Sequence, residues 1–185
     1  MDKAEKLEEV KKEIINCDLC KIGTTGNGVA GEGNPDAKIV FIGEAPGKQE
    51  AVTGLPFIGR SGKLLREAIR NIGLTENDVY ITSPVKYLPI TGTPSLSQID
   101  HGVTHLEKQL AIIKPRILVL MGATAYQSIV KQKPFLYKMH GEIILSKERK
   151  YFITFHPAAA LRFPNIRTLF FQDFEKLQYI IAHDN

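Results

Sequence analysis

Lys38-Ile39-Val40-Phe41-Ile42 runs directly into Gly43-Glu44-Ala45-Pro46-Gly47. A short, unbroken apolar run rich in β-branched residues is the pattern of a strand buried on both faces, because a strand with one wet face would alternate. The glycines and proline that follow stop it abruptly, which sets a turn at the strand's carboxyl end. Upstream, Gly23 to Asp36 holds five glycines and Pro35 and reads as an irregular connection. Downstream, Leu64, Leu65, Ala68, Ile69 and Ile72 form one helical stripe ending at Gly73, and a second strand, Val79 to Thr82, follows at once.

The same alternation continues to the end of the chain. Pro84, Pro89, Gly92 and Pro94 mark a loop; Ile99, Val103, Leu106, Leu110 and Ile113 then line a helix closed by Pro115. Arg116 to Met121 is the third strand, Gly122 opens a helix to Val130, and a short strand passes through Glu142 to Leu145. Tyr151 to Phe155 is the last strand, and Leu169, Phe170, Phe174, Leu177 and Ile181 line a final helix. An amphipathic helix with Leu7, Val10 and Ile14 precedes everything. Strands alternating with helices predict a three-layer α/β/α domain with a central, mostly parallel four-stranded sheet, and the length suits a single domain over 1–185.

Composition excludes several classes. The chain has 185 residues, 43% hydrophobic and 24% charged, with a net charge of +4 and a pI near 9.0, a mild lean toward polyanions. Its longest apolar stretch, around Ile117 to Ala125, is too short to span a bilayer, and the charged start lacks a signal peptide's apolar region. A cytoplasmic protein is expected, with no membrane partner. The only cysteines, Cys17 and Cys20, are too close to staple a fold, so a secreted disulfide scaffold is excluded.

In folds of this class ligands sit at the carboxyl ends of the strands. Gly43 to Gly47, Ser83-Pro84 and His156 to Leu161 all fall there and are expected to converge. The first is not a phosphate-binding Walker loop, for no Gly-Lys-Ser/Thr follows, and it lacks the Gly-x-Gly-x-x-Gly of a dinucleotide fold. Read alone it is a tight turn bearing Glu44, with Glu50 nearby; read with His156 it is a candidate site.

Gly43-Glu44-Ala45-Pro46-Gly47, then Gly54-Leu55-Pro56-Phe57-Ile58-Gly59-Arg60-Ser61-Gly62, then Tyr80-Ile81-Thr82, and finally His156-Pro157-Ala158-Ala159-Ala160-Leu161-Arg162 together resemble the family 4 uracil-DNA glycosylases of the uracil-DNA glycosylase superfamily. The likeness runs from Cys17 to about Leu177. It implies hydrolysis of the N-glycosidic bond of a deaminated base in single- or double-stranded DNA, with the target nucleotide flipped out of the stack and an abasic site left behind. His156 would donate to uracil O2 as negative charge builds there, and Glu44 or Glu50 would position water and oppose the positive sugar. Glu50 is slightly favoured, because Ala45 stands where other branches of the superfamily place a catalytic Asp. Phe57 would stack on the flipped base, with Gly43, Ala45, Pro46, Gly47 and Ser83 lining the pocket. Leu161 would be the wedge that fills the vacated gap, and Lys48, Arg60, Ser61, Lys63, Lys86 and Arg162 would contact the DNA. The chemistry would need no cofactor and the protein would act as a monomer. Each of these residues also has a plain structural reading: a core aromatic, a helix-start leucine, a solvated lysine.

Two departures stand out. Where the family carries an Asn that reads uracil's O4 and N3–H, this chain has Ser83, whose single hydroxyl cannot present a fixed donor-plus-acceptor pair. Uracil remains the expected base, with discrimination weakened or shifted toward another deaminated base. The family also holds a four-iron four-sulfur cluster on four cysteines, and spacing puts Tyr87 and Gly102 at two of those positions. An ordinary cluster within one chain is therefore excluded. His101 and His105 lie one helical turn apart beside the lost ligand, and with Cys17 and Cys20 they make a zinc-type set; the alternative is a metal-free remnant. Two further readings stay open: a degenerate homologue that binds DNA or damaged bases without excising, and a small-molecule enzyme using the same pocket.

Overall fold

The computed structural model describes residues 1–146 and 149–183. Helices α1 (Lys3–Ile15) and α2 (Asp18–Lys21) lead into the short strands β1 (Thr24–Thr25) and β2 (Glu32–Gly33), then β3 (Ile39–Ile42). Next come α3 (Lys48–Thr53), α4 (Arg60–Asn71), β4 (Val79–Thr82), β5 (Leu88–Pro89), α5 (Leu96–Ile113), β6 (Ile117–Met121) and α6 (Gly122–Val130). The chain ends with α7 (Leu136–Met139), β7 (Ile143–Ser146), β8 (Arg149–Thr154), α8 (Pro157–Arg162) and α9 (Pro164–His183).

The central sheet has six strands in the order β2-β4-β3-β6-β8-β7. The four strands expected from the apolar runs, β4, β3, β6 and β8, are its parallel heart, with Phe41 level with Ile81 on one side and Val119 on the other. Every residue of β3, β4 and β6 is buried, which is why those strands read as continuous apolar runs. The expected four-stranded sheet is widened by an antiparallel strand at each edge. At one of them, β2 is only Glu32-Gly33, held so close that a Cβ on Gly33 would lie 2.2 Å from the Val79 carbonyl oxygen, and a two-residue strand leaves no periodic signal.

Alternate residues of each strand face opposite helical layers. Phe41, Ile81, Val119 and Phe152 meet Leu65 and Ile69 of α4 and Phe170 and Phe174 of α9. Val40, Tyr80, Leu118 and Ile153 meet Leu7 of α1, Leu106 and Leu110 of α5 and Tyr126 of α6. Helix starts are fixed locally: Asp2 and Glu5 form a capping box on α1 and Ser95 and Gln98 another on α5, worth about 1 kcal/mol each.

Buried polar groups tie the layers together. Asp173 of α9 accepts from the Thr154 hydroxyl at 2.8 Å and lies 2.8 Å from His140 Nδ1, which fastens α9 to the end of β8. Burial holds its carboxyl above the ordinary range, with His140 and Thr154 opposing.

Candidate active site

Strand order reverses between β3 and β6. The chain leaves β3 through α3 and α4 to reach β4 on one side, and leaves β6 through α6 to reach β8 on the other, which opens a crevice outside their carboxyl ends. A cavity of about 270 Å³ lies there. Glu44 to Gly47 come to it from the turn after β3, Lys48 and Glu50 from α3, Phe57 from the turn before α4, Ser61 from the first turn of α4, Ser83 from the end of β4 and His156 from the end of β8. The three strand ends singled out in the sequence therefore converge.

His156 is built into a helix start. It caps α8, with its Nδ1 accepting the Ala158 N–H at 3.2 Å and Pro157 supplying the first helical residue. Burial pushes its pKa below the ordinary histidine value of 6.5, with Glu44 opposing, so the ring is neutral near pH 7. An accepting Nδ1 in a neutral ring assigns the proton to Nε2. That nitrogen is buried and has no hydrogen-bond partner, so a donor stands ready at the cavity.

Phe57 forms the adjoining wall. It is 8% exposed, its φ is +50°, and its ring centroid lies 6.0 Å from that of His156. A left-handed conformation at an aromatic residue is costly and persists only where surroundings impose it. Here Arg66, which ion-pairs with Glu32, donates to the carbonyls of Phe57 at 3.3 Å and Pro56 at 3.2 Å. Gly43 is required beside it: a Cβ there would sit 2.4 Å from Phe57 Cζ and 3.5 Å from His156 Nε2.

The two carboxylates are held differently. Glu50 is buried, and its Oε1 accepts the backbone N–H of Ile58 at 2.9 Å and of Gly59 at 2.8 Å. Glu44 is half-buried and its Oε2 accepts from the Thr124 hydroxyl at 2.5 Å. Thr124 lies in the first turn of α6, immediately outside β6, so the bond spans the crevice. Sequence reading missed Thr124, although its place just beyond a strand's carboxyl end marked it. Missed too were Arg66, which has no motif, and Leu88 and Gly92, which reach the cavity from a loop of unpredictable course.

Ser83 is buried, and its hydroxyl donates to the Val85 carbonyl at 2.8 Å. With its proton spent on the backbone, the hydroxyl offers the cavity lone pairs only. Lys48, Arg60, Lys63 and Arg162 are exposed, Arg162 lying over the Phe163 ring, while Leu161 is half-buried against the α4–α9 layer. Lys86 corrects the sequence expectation. It is 1% exposed, with Nζ bound to Gln109 Oε1 at 2.8 Å, to Thr82 Oγ1 at 2.9 Å and to the Ala30 carbonyl at 3.4 Å, so it cannot reach DNA. Burial brings its pKa down to about 7. It was misread because a lysine after a strand resembles a surface lysine until the partners for its charge are known.

The model of the uracil DNA glycosylase superfamily matches residues 30–178. This chain belongs to that superfamily. Within it, the chain is 38% identical over 188 residues to the type-4 uracil-DNA glycosylase of Sulfurisphaera tokodaii, covering 93% of this chain and 83% of that one. It is 36% identical over 183 residues to the type-4 enzyme of Archaeoglobus fulgidus, covering 94% and 92%. It is 36% identical over 186 residues to that of Thermotoga maritima, covering 97% of each. The likeness expected from Cys17 to about Leu177 is thus borne out over nearly the whole chain. Among the described residues no helix is long and apolar enough to cross a membrane.

Away from the cavity, Cys17, Cys20, His101 and His105 come together, with their donor atoms within 4.8 Å of one another. The iron–sulfur cluster implied by the resemblance does not fit these residues. Tyr87 packs against Val10, Ile14 and Cys20, and its hydroxyl donates to the carbonyls of Ile14 at 3.2 Å and Ile15 at 3.0 Å. Gly102 lies against the Pro84 carbonyl oxygen, which a Cβ would approach to 2.0 Å.

Proposed function

We propose that this chain excises uracil, or another deaminated base, from DNA by hydrolysing its N-glycosidic bond, leaving an abasic site. The observation that carries the reading is the neutral His156 with its unpartnered Nε2–H at the cavity. As the bond from the sugar C1′ to the base nitrogen breaks, its electron pair moves into the base and negative charge gathers on O2. A fixed donor there stabilises the leaving anion, and a buried donor needs no reorganisation to do so. Positive charge grows on the sugar at the same time. Glu44, steadied by Thr124 and with its second oxygen uncommitted to Thr124, orients the water that attacks C1′ and takes its proton. Glu50 is the fixed negative charge beside it, held by the amides of Ile58 and Gly59. The sequence favours Glu50 slightly as the water's partner; that part goes here to Glu44, the less buried of the two carboxylates, since Glu50 is buried with one oxygen held by two amides.

Phe57 supplies a face for a base flipped into the cavity, whose size suits one nucleobase. Leu161 fills the gap in the stack, and Lys48, Arg60, Lys63 and Arg162 hold the flanking phosphates. The whole chain acts as one domain and as a monomer inside the cell, on single- or double-stranded DNA, and bond cleavage draws on no cofactor.

Ser83 favours one further reading, a homologue that binds damaged bases without releasing them. Labelled oligonucleotides carrying uracil, hypoxanthine, xanthine or mismatched thymine, incubated with the protein and then cleaved by alkali, separate the two. Strand cleavage at a modified base, absent with His156→Ala, is expected; binding of the same oligonucleotides without cleavage would overturn the catalytic reading.

A further inference from the structure

We infer that Cys17, Cys20, His101 and His105 bind a single zinc ion that fastens the N-terminal segment to α5. The inference stands independently of the proposed catalysis, since the group lies outside the cavity and none of its members touches it.

The four residues come from two places far apart in sequence. Cys17 caps α2 and its Sγ accepts the Cys20 N–H at 3.4 Å, an arrangement that turns both sulfurs toward one point. His101 and His105 are one turn apart on α5, their rings edge to face with centroids 5.5 Å apart. His101 Nε2 is 3.1 Å from Cys17 Sγ. Zinc–sulfur bonds of about 2.3 Å and zinc–nitrogen bonds of about 2.0 Å place tetrahedral ligands roughly 3.3 to 3.8 Å apart. The observed 4.8 Å bound on all donor pairs therefore needs only side-chain adjustment to close on one ion.

His105 supplies a second, independent observation. It is 7% exposed, and neither ring nitrogen has a hydrogen-bond partner. Two unsatisfied polar atoms in a buried ring are costly, and in native structures such atoms call for a specific explanation, a bound ion among them. Glu13 Oε2 lies 4.0 Å from His105 Nδ1, beyond hydrogen-bond distance, and is engaged by Lys108, so it leaves the ring unsatisfied.

The chemistry selects zinc. Two thiolates and two imidazoles around one ion form a structural zinc set in which all four positions are filled by protein, and two of the four, Cys20 and His105, are buried. A four-iron cluster requires its ligands spread around a cube of eight atoms, whereas these four donors crowd around a point and Tyr87 occupies the adjoining space. The tether has a consequence for the cavity. Gln98 Nε2, between α5's cap and His101, donates to the carbonyls of Ile22 at 3.0 Å and Gly23 at 3.1 Å, and β1 pairs with β5, whose Leu88 lines the cavity. The ion would brace that wall.

The test is made on the untagged full chain, purified without chelators and assayed without DNA. Elemental analysis is expected to find about one zinc per chain and no iron. Protein stripped of metal and reloaded with cobalt is expected to show the visible d–d bands of a tetrahedral cobalt–thiolate centre, weakened or lost in Cys17→Ser and His105→Ala. If those variants fail to fold, the wild-type chain still decides, because stripping should lower its melting temperature and zinc should restore it. Iron with acid-labile sulfide, or metal-free protein whose melting temperature ignores added zinc, would overturn the inference.

Discussion

The Thr124 hydroxyl donates to Glu44 Oε2 at 2.5 Å, joining the chain just beyond β6 to the turn just beyond β3 across the crevice. A hydrogen bond to a carboxylate contributes about 1.5 kcal/mol or more, so losing this one should leave Glu44 poorly aimed. Thr124→Val is expected to lower kcat about tenfold while leaving KM for uracil-containing DNA and the melting temperature nearly unchanged. Thr124→Ser should restore most of the rate. If Thr124→Val turns over normally, the bond does not position Glu44.

His156 predicts a pH profile. Its depressed pKa keeps the ring neutral through the range where an ordinary histidine, near 6.5, takes up a proton, so kcat should stay flat there and change only at lower pH. Stability follows the same group. Between its folded pKa and the ordinary value the unfolded chain binds more protons, so this contribution is present above pH 6.5 and lost on acidification through that window. His156→Gln should flatten the corresponding part of the acid unfolding curve and reduce kcat by about a hundredfold, the scale of removing one donor from a developing anion.

Gly43→Ala tests the packing that shapes the pocket. The added methyl would fall 2.4 Å from Phe57 Cζ, forcing the ring to move at a cost of about 1–3 kcal/mol. A lower melting temperature and a reduced excision rate are expected, and adding Phe57→Leu should recover part of the stability but not the stacking. Thermal unfolding of the two single variants and the double variant would reveal whether their effects couple.

Ser83→Asn should sharpen base choice. The present hydroxyl gives its proton to the Val85 carbonyl, whereas an amide would bring both a donor and an acceptor. Relative excision rates for uracil and hypoxanthine should shift toward uracil; identical ratios would show that Ser83 does not face the base.

Salt dependence distinguishes the basic residues. Replacing Lys48, Arg60, Lys63 or Arg162 by Ala should weaken DNA binding and reduce the slope of log affinity against log salt by about one for each phosphate no longer neutralised. Lys86→Met should leave that slope unchanged and instead lower the melting temperature, because it removes from the interior the donor that Gln109 Oε1, Thr82 Oγ1 and the Ala30 carbonyl share.

The parallel strands and their helices were legible in the sequence because each apolar run reports burial on both faces, and the cavity residues followed from placing unusual turns at strand ends. Lys86 was not legible: its location depends on Gln109 and Ala30, far away in sequence, rather than on any local pattern. The edge strand β2 was hidden by its length, and α3 by the glycines around it. Ser83's missing amide could be read from the chain, yet the direction of its hydroxyl depended on the path of the loop to Val85. Cys17, Cys20, His101 and His105 could be named as a set by residue type; that they meet is a property of how α2 lies against α5.

Gly102 limits what this chain could be changed into. With the Pro84 carbonyl pressed against its α-carbon, any side chain at that position must first push α5 and the strand-end loop apart. A cysteine placed there would be penalised before it could recruit iron, and Tyr87 would have to be exchanged in the same step. Neither change is useful alone. Gly102 and Tyr87 thus lock the two-cysteine arrangement from two sides, one by leaving no room for a side chain and the other by filling the space with a bonded ring.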